Sequence, residues 1–347
     1  MICFGLLGTG TAATTHAREL GAIRGATLTA VTGRRPDRVA AFVAAHAAVH
    51  PELRACATLQ DMLADPALDA VVITTPNAEH LEPALAVARA GKHVILEKPI
   101  EITRARSEAI VAACRENGVR LHLVYQRRHS ASTLRARDDI AAGRFGEIIL
   151  VNIVDNQFRA PEYYAKGGWR GRWQSEGGGC VTTQSTHMID LVQVLLGPIK
   201  AVTALCRTRL HTIETEDTAA ALLEFENGVI GTFTSSTAAY PGQRHLMTIS
   251  GTRGSMIFNA EHDEIVLRQF AGNPAETGAE IPDSFSFRDP SVPADYPTYA
   301  HRRLLQAIVD DLSGGDSVMQ ADPLAAIRAI EALYSSAAKG GMRVAVA

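Results

Sequence analysis

A histidine and an aspartate stand one helical turn apart after three glycines, in the segment GGGCVTTQSTHMIDLVQVLLG at residues 177–197. On a continuous helix, Thr183, His187 and Asp190 would share one narrow face, with a stripe of apolar residues beside it. An imidazole titrates near neutral pH and can therefore give or take a proton in catalysis. The segment is equally explained by a buried histidine that hydrogen-bonds Asp190, so by itself it leaves both interpretations open.

Two further polar segments follow predicted buried strands. In VITTPNAEH, Pro76 ends the strand and Asn77 is suited to begin a helix. In VILEKPI, Pro99 restricts Lys98 to an extended conformation, so the ammonium group is held at the strand end, where it can hydrogen-bond a substrate hydroxyl. Because ligands bind at the carboxyl ends of the strands in open α/β sheets, both segments are expected to line one crevice.

A glycine-rich turn follows the first apolar run of the chain. GTGTAA at residues 8–13 fits the pattern G-x-G-x-x-A, in which Gly8 makes the tight turn, Gly10 admits a pyrophosphate and Ala13 permits close helix packing. The amino terminus of the following helix is suited to phosphate. The turn therefore predicts a dinucleotide site, although glycines also close ordinary turns.

The end of the second apolar run, VTGRRPDR, bears on which dinucleotide binds. Gly33 occupies the place where an acidic residue commonly meets the ribose 2′-hydroxyl of NAD, and Arg34 and Arg35 follow it. A guanidinium group suits a 2′-phosphate. The pattern favours NADP(H) over NAD(H), with a solvated basic turn as the alternative explanation.

The elements that would position these residues follow from the hydrophobic pattern. Apolar runs in residues 1–124 alternate with helical segments such as 36–46, 78–90 and 104–117. Fully apolar strands alternating with helices predict a parallel sheet covered on both faces, which is a doubly wound Rossmann-type domain of the α/β class.

From residue 125 to residue 347 the hydrophobic pattern differs from that of residues 1–124. One helix is predicted at 132–142, followed by long alternating segments with turns at Asn227–Gly228 and Arg253–Gly254. Helices at 299–312 and 323–338 are expected to complete this second domain. The prediction is an α+β domain with a large, mostly antiparallel open sheet.

A loop at residues 158–173, FRAPEYYAKGGWRGRW, contains both tryptophans of the chain together with Tyr163, Tyr164 and three arginines. Aromatic faces with fixed donors commonly hold sugar rings, and the same residues could instead pack the loop against the sheet.

Composition excludes several classes of protein. The chain has 347 residues, 46% of them hydrophobic, and a formal net charge of −3, which gives no reason to expect nucleic acid or a membrane as partner. The five cysteines show no CxxC spacing and no secretory leader is recognised, so a cytoplasmic location is expected. No cluster of His, Cys and Asp has convincing metal spacing, so no metal is expected.

The motifs GLLGTGTAA, ITTPNAEH, AGKHVILEKP and GGGxxxxxxxHxxDLxxxLLG together resemble the Gfo/Idh/MocA family of oxidoreductases over nearly the whole chain. The resemblance implies NADP or NAD as cofactor, a carbohydrate or polyol as substrate, and a homodimer or homotetramer formed through the open sheet. It also implies that His187 is the acid/base and that Lys98 polarises the reacting oxygen, with Asp190 orienting His187 or touching substrate.

The remaining expected site residues follow from the same motifs and the loop. The cofactor is expected to contact Gly8, Thr9, Gly10, Thr11, Ala12, Gly33, Arg34, Arg35, Thr75, Pro76, Asn77, His80, Glu97, Lys98, Gln126, Trp169 and Arg170. The substrate is expected to contact Lys98, Tyr163, Thr183 and His187.

One position departs from the family pattern. Many members carry an aspartate four residues before the histidine, where this chain has Thr183. A hydroxyl in place of a carboxylate favours a substrate modified near the reacting carbon, such as an anhydro, keto, deoxy or glycosidically substituted sugar, over free myo-inositol.

Two other functions remain open at this point. One is a redox-assisted glycosidase or eliminating enzyme, which oxidises a sugar carbon transiently and keeps its cofactor. The other is a non-catalytic nucleotide-binding regulator, against which the presence of both Lys98 and His187 argues.

Overall fold

The computed structural model describes residues 1–165, 168–243, 245–273, 275, 298–315, 319 and 321–347. The chain forms two compact units. Residues Met1–Gln126 and Thr298–Pro323 make up the first, and Arg127–Pro297 and Leu324–Ala347 make up the second.

The first unit is built on a parallel sheet in the order β3-β2-β1-β4-β5-β6. Its strands are β1 (Ile2–Leu7), β2 (Ala26–Thr32), β3 (Arg54–Ala55), β4 (Ala70–Ile73), β5 (His93–Leu96) and β6 (Leu121–Leu123). The helices that connect them are α1 (Thr11–Leu20), α2 (Pro36–His46), α3 (Leu59–Leu63), α4 (Leu81–Arg89) and α5 (Arg104–Glu116). This arrangement confirms the predicted Rossmann-type sheet, whose central strands are apolar because helices cover both faces.

The helix at Tyr299–Leu312 belongs to the first unit, although its place in the sequence, after the long alternating segments, predicts that it completes the second domain. Leu304, Leu305 and Ile308 lie in the same buried core as Phe4 and Leu28. Their spacing forms one apolar stripe on a helix, and the stripe packs here against the Rossmann sheet and not against the later sheet. That assignment of the helix was therefore wrong.

The second unit is built on a sheet in the order β13-β12-β11-β7-β10-β9-β8-β14. Its strands are β7 (Ile148–Asn156), β8 (Ile199–Arg207), β9 (Thr218–Phe225), β10 (Ile230–Ser236), β11 (Leu246–Gly251), β12 (Gly254–Asn259), β13 (Glu264–Phe270) and β14 (Val344–Ala345). Its helices are α6 (Ala131–Ala141), α7 (Pro161–Ala165), α8 (Trp173–Glu176), α9 (Cys180–Thr183), α10 (Thr186–Leu196) and α12 (Ala325–Ala338), with α11 (Tyr299–Leu312) in the first unit.

The strand pairs of this sheet are antiparallel except for β7 and β10, which run parallel at its centre. The predicted class, a mostly antiparallel open sheet with helices, is confirmed. Helices α12, α9 and α6 pack against strands of the sheet, and α10 packs against α12, with buried side chains such as Leu333 and Leu191. Among the described residues, no helix is long and apolar enough to cross a membrane.

Candidate active site

Gly8 is required by the protein's own backbone where β1 ends. Its φ is +116°, a conformation that residues with a side chain rarely adopt. A Cβ atom built there would lie 2.3 Å from Oγ1 of Thr74, at the end of β4. Gly8 therefore lets the turn after β1 pack against the neighbouring strand end.

Gly10 is not required by the protein in this way. It precedes α1 with φ −86° and ψ −170°, which any residue can adopt, and a Cβ atom there would meet nothing within 4 Å. Gly10 has no side chain with which to cap the helix that it precedes, and no acidic residue lies in the first turn. The open space lies beside backbone N–H groups that lack partners within the helix, so the turn fits the pyrophosphate of NAD(P).

Thr9, Thr11 and Ala12 belong to the same turn and helix start. The side chain of Thr9 lies 3.8 Å from the Cβ position of Gly33, so the fingerprint turn adjoins the end of β2. The structure thus brings the two predicted parts of the cofactor site together.

Arg34 and Arg35 are both exposed at the end of β2 and both have acidic partners. Nη1 of Arg34 lies 3.1 Å from Oε1 of Glu79, while Arg35 binds Asp37 through two hydrogen bonds of 3.1 and 2.6 Å. Exposed ion pairs of this kind contribute little free energy. Arg34, with its single hydrogen bond, is the more easily redirected toward a phosphate.

His80 holds two strand ends together. Its ring is buried, with Nδ1 2.9 Å from the carbonyl oxygen of Pro99 and Nε2 3.0 Å from that of Thr75. Burial lowers the pKa of His80, which favours the neutral ring. Both nitrogens face main-chain oxygens, so His80, predicted to touch the cofactor, is directed at the backbone that carries Thr75 and Lys98.

Pro76 and Asn77 lie between these strand ends. Asn77 begins a single 3₁₀ turn, Asn77–Glu79, and is buried, and Oγ1 of Thr75 donates to the carbonyl oxygen of Glu79 at 3.1 Å. The sequence predicted one helix over 78–90, and the structure divides it into this turn and α4.

Glu97 fixes the residue that follows it. Its Oε1 lies 2.9 Å from Nε2 of the buried His16, and its Oε2 accepts a hydrogen bond of 3.2 Å from the backbone N–H of Lys98. Burial alone would raise the pKa of Glu97, but the hydrogen bond and charge of His16 outweigh it and lower the pKa. The carboxylate therefore anchors the strand end on which Lys98 stands.

Gln126 follows β6 and carries an orphaned atom. Its Oε1 is buried and has no hydrogen-bond partner within the described residues. Buried polar atoms are normally paired, so this oxygen is one that a ligand or ordered water would satisfy.

In the second unit, the three glycines permit a sharp reversal between α8 and α9. Gly177 and Gly178 have positive φ values of 80° and 156°. A Cβ atom on Gly179 would lie 1.7 Å from the carbonyl oxygen of Glu216, so only glycine fits. The carboxylate of Glu216 then accepts the N–H groups of Gly179 and Val181, both at 3.0 Å, and so caps α9.

The predicted single helix after these glycines is wrong. The structure has two helices, α9 and α10, separated at Gln184 and Ser185. Ser185 is buried, and its hydroxyl donates to Oδ2 of Asp155 on β7 at 2.7 Å and lies 2.7 Å from the hydroxyl of Ser235 on β10, from which it can accept. These tertiary partners draw the chain out of the helix, so Thr183 and His187 lie on separate helices.

His187 is the second residue of α10 and is buried. Asp190, one turn later, is held by Arg128, which donates from Nε at 2.7 Å and also from Nη2. Burial raises the pKa of Asp190 against the opposing effect of the Arg128 charge. Asp190, predicted to be catalytic, therefore fixes α10 to the 126–129 turn.

The aromatic loop forms a cluster around Arg170. The guanidinium carbon lies 4.5 Å from the ring centroid of Tyr163 and 4.6 Å from that of Trp169. Nε2 of Gln184 donates to the hydroxyl of Tyr163 at 3.2 Å, which joins the cluster to the segment before His187. Lys166 and Gly167, in the same loop, lie outside the described residues.

Two buried atoms of this cluster, Nε of Arg170 and Oε1 of Gln184, have no hydrogen-bond partner within the part of the chain that the structure describes. The rings of Tyr163 and Trp169 are half-buried. A cluster of half-buried aromatic residues with unsatisfied polar atoms is suited to a polar ligand.

Glu176 is a further residue of this cluster that the motifs do not predict. This buried residue accepts hydrogen bonds from the backbone N–H of Gly171 and, at 2.8 Å, from Oγ1 of Thr183. Burial raises the pKa of Glu176 to about 7, although both hydrogen bonds and the charge of Arg170 act to lower it. Its position before the glycine run was the only signal in the sequence.

Across the described ranges, no group of three or more His, Cys, Asp or Glu side chains is arranged to hold a metal ion. The first unit carries a glycine-rich turn with open space at the start of α1. The second unit carries a helix with a buried histidine, α10, and an aromatic loop joined to the segment before it.

Comparison with known proteins gives the class and then the family. Residues 2–125 match a model described as "Oxidoreductase family, NAD-binding Rossmann fold", and residues 133–257 match "GFO/IDH/MocA C-terminal domain". The protein is an oxidoreductase with an NAD-binding Rossmann domain. It belongs to the Gfo/Idh/MocA family, as the sequence motifs indicated.

Several relatives are similar over most of their length. The 1,5-anhydro-D-fructose reductase of Ensifer adhaerens is 30% identical over 260 residues, which are 73% of this chain and 74% of the relative. The scyllo-inositol 2-dehydrogenase (NADP(+)) of Bacillus subtilis is 28% identical over 82% of this chain and 81% of its own. The crystal structure of the WlbA dehydrogenase from Bordetella pertussis with NADH and UDP-GlcNAcA is 30% identical, with a TM-score of 0.85 over 100% of this chain and 98% of that chain.

Proposed function

We propose that the protein transfers a hydride between the nicotinamide of NADP(H) and a secondary alcohol or ketone carbon of a sugar, sugar derivative or cyclic polyol. One observation carries the proposal: the chain has both Lys98 and His187 in the motifs where the family's reacting groups stand. A protein that only bound nucleotide would need neither. The names of relatives that act on anhydrofructose and scyllo-inositol support the substrate class.

In this proposal the proton and the hydride move separately. When bound, the cofactor supplies or accepts the hydride. His187 takes the hydroxyl proton in oxidation and returns it in reduction, and Lys98 donates a hydrogen bond to the same oxygen. Asp190 is a positioning residue, because its bidentate pair with Arg128 fixes the helix that carries His187.

The aromatic loop is proposed to contribute to both ligands. Tyr163 and Thr183 contact the substrate, and Trp169 and Arg170 approach the cofactor. The half-buried rings and the unpartnered polar atoms of the cluster support a ligand-binding role over simple packing.

NADP(H) is the proposed cofactor in preference to NAD(H). At the end of β2, Gly33 takes the place of the acidic residue that would repel a 2′-phosphate. The exposed Arg34 and Arg35 follow it. The competing carboxylate at Arg34 is Glu79, an exposed partner with one hydrogen bond.

Arg34→Ala is therefore expected to weaken NADPH binding by about 10- to 100-fold, since a charge-assisted hydrogen bond contributes about 1.5–3 kcal/mol. NADH affinity should hardly change. Fluorescence titration of both reduced cofactors measures this, with Arg38→Ala as the control because Arg38 is an exposed arginine on α2. Wild-type protein that binds NADH as tightly as NADPH would refute the preference.

A substrate modified near the reacting carbon is proposed because Thr183 offers a hydroxyl where many family members offer a carboxylate. Absorbance at 340 nm should report turnover when a panel of free inositols, hexoses, anhydro sugars and glycosides, together with the corresponding ketones, is supplied with the oxidised or reduced form of each cofactor. We expect higher kcat/KM for a derivatised sugar than for free myo-inositol. A strong preference for myo-inositol would contradict this choice, and aglycone release without net absorbance change would indicate the redox-assisted glycosidase instead.

The face of the second sheet that carries exposed apolar side chains is proposed to be the interface of a homodimer or homotetramer. Leu205, Leu222 and Ile230, on β8, β9 and β10, are about half exposed. Apolar side chains clustered on an exposed face favour a protein partner. Sedimentation velocity tests the proposal, and a single-chain mass at micromolar concentration would contradict it.

A cytoplasmic location is also proposed. All five cysteines are free thiols, and Cys56, Cys114 and Cys180 are buried. Reduced thiols suit a reducing compartment. Cell fractionation with an antibody against the chain would test the assignment, and recovery outside the cytoplasm would contradict it.

A further inference from the structure

Glu176 is a buried carboxyl group that the proposed reaction does not use. It is the last residue of α8 and directly precedes the three glycines. One oxygen accepts the hydroxyl proton of Thr183 at 2.8 Å, and the other accepts the backbone N–H of Gly171, which follows Arg170 in the aromatic loop. Glu176 thus links the loop to the helix end before His187.

Thr183 is where this part of the chain is accessible. From Gly178 to Gln193, a stretch that the structure describes completely, every residue is buried except Thr183, which is half-buried. A threonine hydroxyl has one proton to donate and two lone pairs that accept. Because the proton is directed to Glu176, Thr183 can only accept from a further partner while this bond persists.

We propose that Glu176 determines substrate specificity through Thr183 by setting the direction of the threonine hydrogen bond. With Glu176 ionised, Thr183 accepts from a substrate hydroxyl. With Glu176 protonated and donating to Thr183, the threonine proton is released toward the substrate, and the site takes a carbonyl or ether oxygen. This inference rests on the proposed function and supplies the carboxylate that position 183 itself lacks.

The charges around Glu176 allow both states near neutrality. Burial raises its pKa to about 7, and the neighbouring Glu216 acts in the same direction. Arg170 lowers it, as do the hydrogen bonds from Gly171 and Thr183. The phenol of Tyr164 is neutral because burial raises its pKa far above its usual range, and the negative charge of Glu176 acts in the same direction.

The coupling can be measured in the full chain without substrate. Protein labelled with ¹³C at glutamate side-chain carboxyls should show one NMR signal that titrates near pH 7 and disappears in E176Q. In T183V the midpoint should rise by about one pH unit, because a hydrogen bond that stabilises the ionised form is lost. T183S, which keeps the hydroxyl, should stay within a few tenths of a unit of wild type.

A midpoint near the ordinary glutamate value, or one that T183V leaves unchanged, would overturn the inference. E214Q is the matched control, because Glu214 is an exposed acid nearby and its removal should leave the signal in place.

Specificity is tested with a substrate and its O-methyl analogue at the hydroxyl that faces Thr183. The ratio of their kcat/KM values cancels the ionisation of groups common to both, including His187. Between pH 6 and pH 8 this ratio should rise about fivefold to tenfold in favour of the free hydroxyl, and in E176Q it should not vary with pH.

A pH-dependent ratio that persists in E176Q would contradict the specificity role. A purely structural role for Glu176 would lower stability in E176Q and leave the pH dependence of the ratio intact. If no sugar is turned over by wild type, the proposed function fails, while the carboxyl titration still decides whether Glu176 and Thr183 are coupled.

Discussion

Replacing His187 by alanine is expected to lower kcat by about 100- to 10,000-fold, since general acid–base catalysis contributes on that order. The reacting oxygen would lose the group that exchanges its proton. His187 is the second residue of α10, whose other side chains remain packed, so the fold should persist. Cofactor affinity and the thermal unfolding midpoint show whether the variant is still folded, and both should stay close to wild type.

Lys98→Ala is the partner variant in this prediction and should cause a loss of similar size, because Lys98 polarises the same oxygen. Glu97, His16 and His80 should still fix the strand end in its absence. Lys200→Ala removes an exposed lysine and serves as the control. Near-normal turnover in His187→Ala would show that His187 is a buried structural histidine and not the acid/base.

Replacing Gly10 by valine is expected to weaken both NADPH and NADH by about 100-fold or more. The side chain would occupy the open space at the start of α1 and displace the pyrophosphate from the N–H groups there, forfeiting charge-assisted hydrogen bonds of about 1.5–3 kcal/mol each. Because valine can adopt the φ and ψ of Gly10 and its Cβ atom would meet no atom of the described residues within 4 Å, the protein should still fold.

Gly8→Ala separates a folding effect from a binding effect. A Cβ atom at Gly8 contacts Thr74 at 2.3 Å and the backbone has φ +116°, so this variant should lose stability. For both variants, calorimetry measures the affinity for the cofactor and thermal unfolding measures stability. Tight cofactor binding by Gly10→Val would show that the open space is not the phosphate position.

The fold was predictable where local pattern determined it. Apolar strands alternating with helices indicated the parallel sheet, and α2 begins at Pro36 as expected because proline suits the first turn of a helix. The two-residue strand β3 and the five-residue helix α3 were missed because elements of that length carry too little periodicity.

Other features depend on partners distant in sequence. The break between α9 and α10 arises from hydrogen bonds of Ser185 to Asp155 and Ser235, which no local pattern contains. The apolar stripe of α11 indicated that the helix is packed but not against which sheet. A helical wheel can therefore predict a buried face without predicting its neighbour.

The candidate site divides in the same way. Motifs indicated the fingerprint turn, Lys98 and His187, whose proposed roles stand as predictions. The partners of His80 and Asp190 were not predictable from the motifs. His80 contacts a main-chain oxygen, and Asp190 contacts an arginine that only folding brings near. Glu176 was missed for the same reason, since its burial and its bond to Thr183 exist only in the folded chain.

The most direct test of hydride transfer uses NADPH in which both hydrogens at C4 of the nicotinamide are replaced by deuterium. With a ketone from the sugar panel, the proposed function predicts that one deuterium appears on the newly formed carbinol carbon, as read by mass spectrometry and NMR of the product. The rate of transfer should fall together with turnover in His187→Ala. If the panel ketone is reduced without deuterium at that carbon, or if bound NADPH transfers no label to any ketone in the panel, the proposed function is contradicted.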